Sequence, residues 1–133
     1  MERKLAELAK EAAKSAYVPY SHFQVGAVLV AGSGKVYQGC NVENASYGLS
    51  NCAERTALFK AVSEGETSFS AVYIYGETLE PISPCGACRQ VLSEFCTDET
   101  PVYLLSKDLE AMETTILELL PYHFKKTDLN TNV

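Results

Sequence analysis

The chain has 133 residues, 47% of them hydrophobic and 21% charged, which describes one ordinary globular domain spanning 1–133 that buries about two thirds of its unfolded surface. Seventeen acidic against eleven basic side chains leave a net charge of −6, which argues against nucleic acid as a partner, because Lys and Arg on phosphates supply much of that affinity. The apolar run 25–31 is far short of the ~18 residues of a membrane span, and charges at 2–4, 7, 10 and 11 interrupt any apolar leader. Five cysteines without the spacing of a small secreted domain read as reduced thiols of a cytoplasmic protein.

Leu5, Leu8, Ala9, Ala12, Ala13, Ala16 and Tyr17 recur at helical spacing with Lys and Glu between them, which predicts an amphipathic first helix. It ends before Tyr17-Val18-Pro19, where proline biases Val18 to extended backbone. Two strands follow, at 23–30 and 35–40, joined by the hairpin composition Ala31-Gly32-Ser33-Gly34. Asn51, with Glu54 three residues on, reads as the N-terminal cap of a second helix over 52–62 that Gly65 stops. The run 70–75 predicts a strand buried on both sides, and Pro84 leads into a third helix whose apolar face is Cys88, Val91, Leu92 and Phe95. A strand at 101–105 comes next. The stretch 109–120 fits either one helix or a strand followed by a short helix, and the second reading is preferred; disorder is expected after about residue 125.

Helix, hairpin, helix, strand, helix, strand is the order of consecutive β-α-β crossovers, so the expected fold is α/β, a three-layer α/β/α sandwich on a mixed sheet of about five strands. Ligands in such sheets sit beyond the carboxyl ends of the strands. There the starts of the second and third helices would meet.

Those two helix starts carry the chemistry. Cys52-Ala53-Glu54 and Pro84-Cys85-Gly86-Ala87-Cys88 offer three thiolates and a carboxylate that is not needed as a ligand. Soft sulfur ligands select zinc, and three of them leave the fourth tetrahedral position for water, as catalytic zinc sites do. Glu54 is then the catalytic base. The CxxC spacing alone would also suit a redox pair, and Glu54 alone would suit a capping box reaching back to Asn51. Three thiolates around one Zn2+ give a centre of net charge −1, which the two helix N-termini and Arg55 can offset. Arg55 by itself reads equally well as a surface arginine.

The stretches Tyr17-Val18-Pro19-Tyr20-Ser21-His22-Phe23-Gln24-Val25-Gly26-Ala27 and Gly39-Cys40-Asn41-Val42-Glu43-Asn44-Ala45, with Cys52-Ala53-Glu54-Arg55 and Pro84-Cys85-Gly86-Ala87-Cys88-Arg89-Gln90, resemble the small homotetrameric zinc-dependent cytidine deaminases over about 5–124. The resemblance implies hydrolysis of cytidine and 2'-deoxycytidine to the uridine products and ammonia in pyrimidine salvage, one zinc per chain, and Glu54 as the general acid and base. It implies that Asn41 and Glu43 hold the ribose hydroxyls, that Phe23 lies against the pyrimidine, and that Ala53 contacts the base through its backbone. It also implies that Tyr47 and Phe124 complete a neighbouring subunit's site in a homotetramer. Pro121-Tyr122-His123 departs from the smaller residues that the family places before that phenylalanine. Deamination of another cytosine-like compound, a zinc-stabilised interaction module, and polynucleotide editing are the alternative readings, the last disfavoured by the acidic charge. His22 and His123 read as partly exposed structural residues, Cys40 and Cys96 as buried small apolar groups. Arg89 and Gln90 have no assigned role beyond support of the site.

Overall fold

The computed structural model describes residues 1–129. Helix α1 (Arg3–Ala13) precedes a hairpin of β1 (Val25–Ala31) and β2 (Val36–Cys40), and a 3-10 turn at Tyr47–Leu49 leads to α2 (Ala53–Ser63). Then come β3 (Phe69–Gly76), α3 (Gly86–Phe95), β4 (Pro101–Leu105), β5 (Ala111–Thr115), α4 (Ile116–Leu119) and the short α5 (Lys126–Leu129). The ambiguous stretch 109–120 therefore resolves as strand plus short helix. Thr115 makes the break, its hydroxyl accepting from the Glu118 N–H as the cap of α4. Part of the tail expected to be disordered forms the turn α5, and residues 130–133 lie outside the described residues.

The five strands form one mixed sheet in the order β2-β1-β3-β4-β5. β1 runs antiparallel to both β2 and β3, which makes those two parallel to each other, and β3 pairs in parallel with β4. Each parallel relation is bridged by a helix, α2 between β2 and β3 and α3 between β3 and β4, so the carboxyl ends of β2 and β3 deliver both helix starts to the same edge.

Alternation along the strands separates two cores. Val28, Tyr73, Tyr75 and Leu105 face Ala6, Ala9 and Ala13 of α1, while Leu29, Val72, Ile74, Val102 and Leu104 face Ala57, Leu58 and Ala61 of α2 and Leu92 of α3. Each large aliphatic side chain among them gains about 1.5–3 kcal/mol on leaving water. This is the expected three-layer sandwich. The buried face of α1 differs from the sequence pattern in detail: Ala6 joins Ala9, Ala12 and Ala13 at its centre, and Tyr17 lies past the helix end, exposed. Small residues win that centre because the helix sits close to the sheet. A Cβ on Gly26 would fall 1.9 Å from the Ala9 carbonyl oxygen.

Gly39 does the same for α2. A Cβ there would lie 2.4 Å from the Ala57 nitrogen and 2.6 Å from the Ala53 carbonyl oxygen, backbone atoms that cannot swing aside. The first turn of α2 is thus seated against β2 only because residue 39 has no side chain. Gly39→Ala is expected to cost about 1–3 kcal/mol through overpacking and to lower Tm by several degrees in a thermal melt, an unchanged Tm being the contrary result.

Candidate active site

Cys52 and Cys85 are the residues immediately before α2 and α3, and neither helix has a side-chain cap, so the free N–H groups of both first turns are directed at the same space. Cys88 lies one turn into α3 and is fully buried. The three sulfurs fall within 4.8 Å of one another, with Cys52 Sγ 3.8 Å from Cys85 Sγ and Cys85 Sγ 3.3 Å from Cys88 Sγ. A tetrahedral zinc at ~2.3 Å from each sulfur would hold them ~3.8 Å apart. The donor set and its spacing fit that ion, and Cys52, Cys85 and Cys88 are the residues that would hold it.

A hydrogen bond from Cys88, supported by the Arg55 guanidinium, brings Cys52 down to about 5, against the cost of burial. Cys88 moves the other way, raised by that shared hydrogen bond and by its own burial, so in the bare cluster Cys52 is the first thiolate. Arg55 Nη2 lies 3.5 Å from Cys52 Sγ, while Arg55 Nε is buried without a hydrogen-bond partner. The arginine belongs to the cluster and not to the solvated surface.

Glu54 is only 3% exposed, and burial raises its pKa. The alternative reading of Glu54 as a capping-box residue is not realised. Asn51 uses its backbone N–H on the Val42 carbonyl oxygen and its side-chain amide on the Thr56 hydroxyl, and helix α2 begins one residue later than that motif requires. The bridge between residues 42 and 51 takes the donor that Glu54 would have served, and its carboxylate lines the cavity instead, with hydrogen bonds from its own backbone N–H and from Cys88 opposing the rise that burial causes. That cavity, about 130 Å3, is lined by Val25, Asn41, Cys52, Ala53, Glu54, Ile74, Ile82, Ser83, Pro84 and Cys85.

Asn41 and Ala53 thus stand at the cavity beside the thiols, whereas the other substrate-contact candidates occupy different positions. The Asn41 side chain clamps the entry to β1, its Oδ1 accepting from the Val25 N–H at 2.9 Å and its Nδ2 donating to the Phe23 carbonyl oxygen at 2.8 Å. Phe23 is partly exposed beyond that clamp. Glu43 accepts from the Tyr20 and Ser21 N–H groups at 3.1 Å and from the Ser21 hydroxyl, and the last of these bonds leads in lowering its pKa. It lines a separate hollow of about 260 Å3 with Tyr20, Ser21, Tyr47 and Ser50. Tyr47 is 74% exposed, and Phe124, 58% exposed, lines a third hollow of about 340 Å3 with Cys96, Asp98 and His123.

His123 is intermediate in exposure as a residue, in line with its reading as a partly exposed structural group, although the ring itself is turned inward. Its side chain is 4% exposed, with Nδ1 2.7 Å from the Leu120 carbonyl oxygen and Nε2 3.6 Å from Asp98. The buried ring anchors the segment that ends in Phe124. His22, expected to be partly exposed, is exposed, and Cys40 and Cys96, expected to be buried, are only half-buried because each lies at the end of its strand or helix. The sequence reading missed Val25, Ile74, Ile82 and Ser83 as lining residues, because only strand pairing and the course of the 77–85 loop bring them to the thiols. It also left Arg89 without a role, although that arginine stands one turn beyond a cysteine at a helix start, as Arg55 does.

Residues 1–104 match the family described as the cytidine and deoxycytidylate deaminase zinc-binding region. Over 130 residues, 98% of the chain, it is 53% identical to the cytidine deaminase of Sporosarcina psychrophila, of which it covers 95%. It is 52% identical to that of Halalkalibacterium halodurans, covering 95% of this chain and 96% of the relative. The crystal structure of the Burkholderia pseudomallei cytidine deaminase superposes with a TM-score of 0.90 at 51% identity, over 93% of this chain and 99% of that one. With three convergent cysteines, a buried uncapped glutamate and the same fold over nearly its whole length, the chain belongs to the zinc-dependent cytidine deaminase family.

Proposed function

We propose that the chain catalyses the hydrolytic deamination of cytidine and 2'-deoxycytidine to uridine and 2'-deoxyuridine, with release of ammonia, as a cytoplasmic enzyme of pyrimidine salvage. The observation that carries the reading is the buried carboxylate of Glu54, which forms no capping box with Asn51 and shares a cavity of about 130 Å3 with Cys52 and Cys85. The named activity of relatives above 50% identity supports the same substrate class. A net charge of −6 favours an uncharged nucleoside over a polynucleotide.

Zinc held by Cys52, Cys85 and Cys88 would supply Lewis acidity that makes water a competent nucleophile near neutral pH. Glu54 takes the proton of the water that attacks C4 of the base and passes it to N3. The same carboxylate then takes the remaining proton from the C4 hydroxyl and delivers it to the amino group, which leaves as ammonia while the C4 carbonyl forms, so one buried acid serves both transfers. Burial suits it to this work, since a raised pKa brings the acid and the base forms closer in energy at neutral pH. Arg55, by donating to Cys52, draws charge from the thiolates and limits the loss of metal acidity that three anionic ligands impose.

Ala53, which lines the cavity, is the proposed backbone contact to the base, with Phe23 against the ring face and Asn41, also at the cavity, toward the ribose hydroxyls. Glu43 would take the ribose hydroxyls in the hollow beside Tyr47, where its carboxylate already accepts from donors of Tyr20 and Ser21. Tyr47 and Phe124 project outward, as residues that complete a second subunit's site in a homotetramer would.

Ammonia release from cytidine, followed by ultraviolet absorbance, tests the reading. Turnover is expected to vanish with a zinc chelator and to return on adding zinc, and its absence in zinc-loaded protein would overturn the proposal. Glu54→Gln should keep one zinc per chain and lose about 10²–10⁴-fold in kcat; near wild-type turnover would remove Glu54 from the mechanism. Arg55→Gln is expected to fold, to bind zinc and to lose about ten-fold or more in activity, and full turnover at full zinc content would contradict its electrostatic role.

A further inference from the structure

We propose that Arg89 is a positioning residue for the reacting centre: its guanidinium fork fixes the Ser83-Pro84-Cys85 segment, and with it one thiol and one wall of the cavity. The inference rests on the deaminase reading above. Of the three cysteines, Cys88 is held inside α3 and buried, and Cys52 is held by Arg55. Cys85 is exposed and ends the stretch 77–85, which contains neither helix nor strand. No ladder of backbone hydrogen bonds fixes it.

Arg89 provides the restraint from one turn along α3. Its backbone N–H donates to the Cys85 carbonyl oxygen at 3.0 Å, as any helix would arrange. Its side chain then reaches around the helix start, with Nε donating to the Pro84 carbonyl oxygen at 3.0 Å and Nη2 to the Ser83 hydroxyl at 2.8 Å. Nη1 donates to the Leu119 carbonyl oxygen at 2.7 Å, at the end of α4. Three acceptors in two directions need the rigid planar donors of a guanidinium, which an ammonium point charge cannot supply together.

Ser83, Pro84 and Cys85 are consecutive lining residues of the 130 Å3 cavity. Fixing them sets the distance between the cavity wall and Glu54 on the facing helix. Leu119 adds a second anchor, so the wall is braced by the helix that follows β5 and not only by its own loop. The two arginines, each in the first turn after a cysteine, therefore do different work: Arg55 reaches a sulfur, whereas Arg89 holds the backbone and hydroxyl beside one. A charge effect would survive replacement by lysine, and a fork would not.

Zinc-loaded wild type, Arg89→Lys and Arg89→Gln are to be compared by the rate of zinc transfer to a chromophoric chelator and by kcat and KM for cytidine. Both variants are expected to give up zinc about ten-fold faster and to lose about ten-fold in kcat, more than any change in KM, with lysine no better than glutamine. Wild-type zinc transfer in both, or recovery of zinc retention and kcat by lysine alone, overturns the proposal. Should the Arg89 variants fail to fold, Ser83→Ala removes one acceptor of the fork and is expected to speed transfer about three-fold; an unchanged rate counts against Arg89. A wild type that turns over no cytidine would defeat the deaminase reading, while zinc transfer would still decide the role of Arg89.

Discussion

Three sulfurs must converge on one point although one helix supplies only two of them, and much of the architecture follows from that demand. Cys85 and Cys88 sit a turn apart on α3, but Cys52 arrives from α2, which a different pair of strands positions. Because β2 and β3 run parallel with β1 between them, both helices start from the same edge of the sheet. Gly39 then lets the first turn of α2 press against β2 closely enough to bring its cysteine within reach of the other two. A fold with the two helices starting at opposite edges could carry the same motifs and hold no metal.

Convergence creates an electrostatic problem that the surroundings answer. Thiolates repel one another and weaken the acidity of any divalent ion they bind, and burying a carboxylate beside them adds a fourth negative group. Two uncapped helix starts contribute partial positive charge, and Arg55 places a full one against Cys52. Leaving both helices without side-chain caps would ordinarily cost some stability. Here the cap positions are occupied by ligands.

The same economy governs the cavity walls. Asn41 turns its amide on the backbone around Phe23 and Val25, and Arg89 does the equivalent for Ser83 and Pro84 on the other side. The loops that border the thiols are thus shaped by side chains that satisfy backbone carbonyl and amide groups, in place of strand or helix pairing. Rigid walls around a small space favour a flat ring over flexible ligands.

By itself the sequence determined the element order, the α/β class, the three thiols and the glutamate, because these depend on local periodicity, turn residues and fixed short spacings such as CxxC. It also carried the preference for strand plus helix at 109–120, which the Thr115 cap realises. Local patterning could not decide whether Glu54 was a cap or a free acid. The pairing of residues 42 and 51 excludes the capping box, since it consumes the donor that motif would need. Tertiary structure likewise decided that Arg55 faces a sulfur, that His123 is buried against Leu120, and that Ser83 and Arg89 belong to the site. Each of those outcomes depends on contacts between chain segments set by strand register, loop course and close helix approach, and none of these is encoded in any single window of residues.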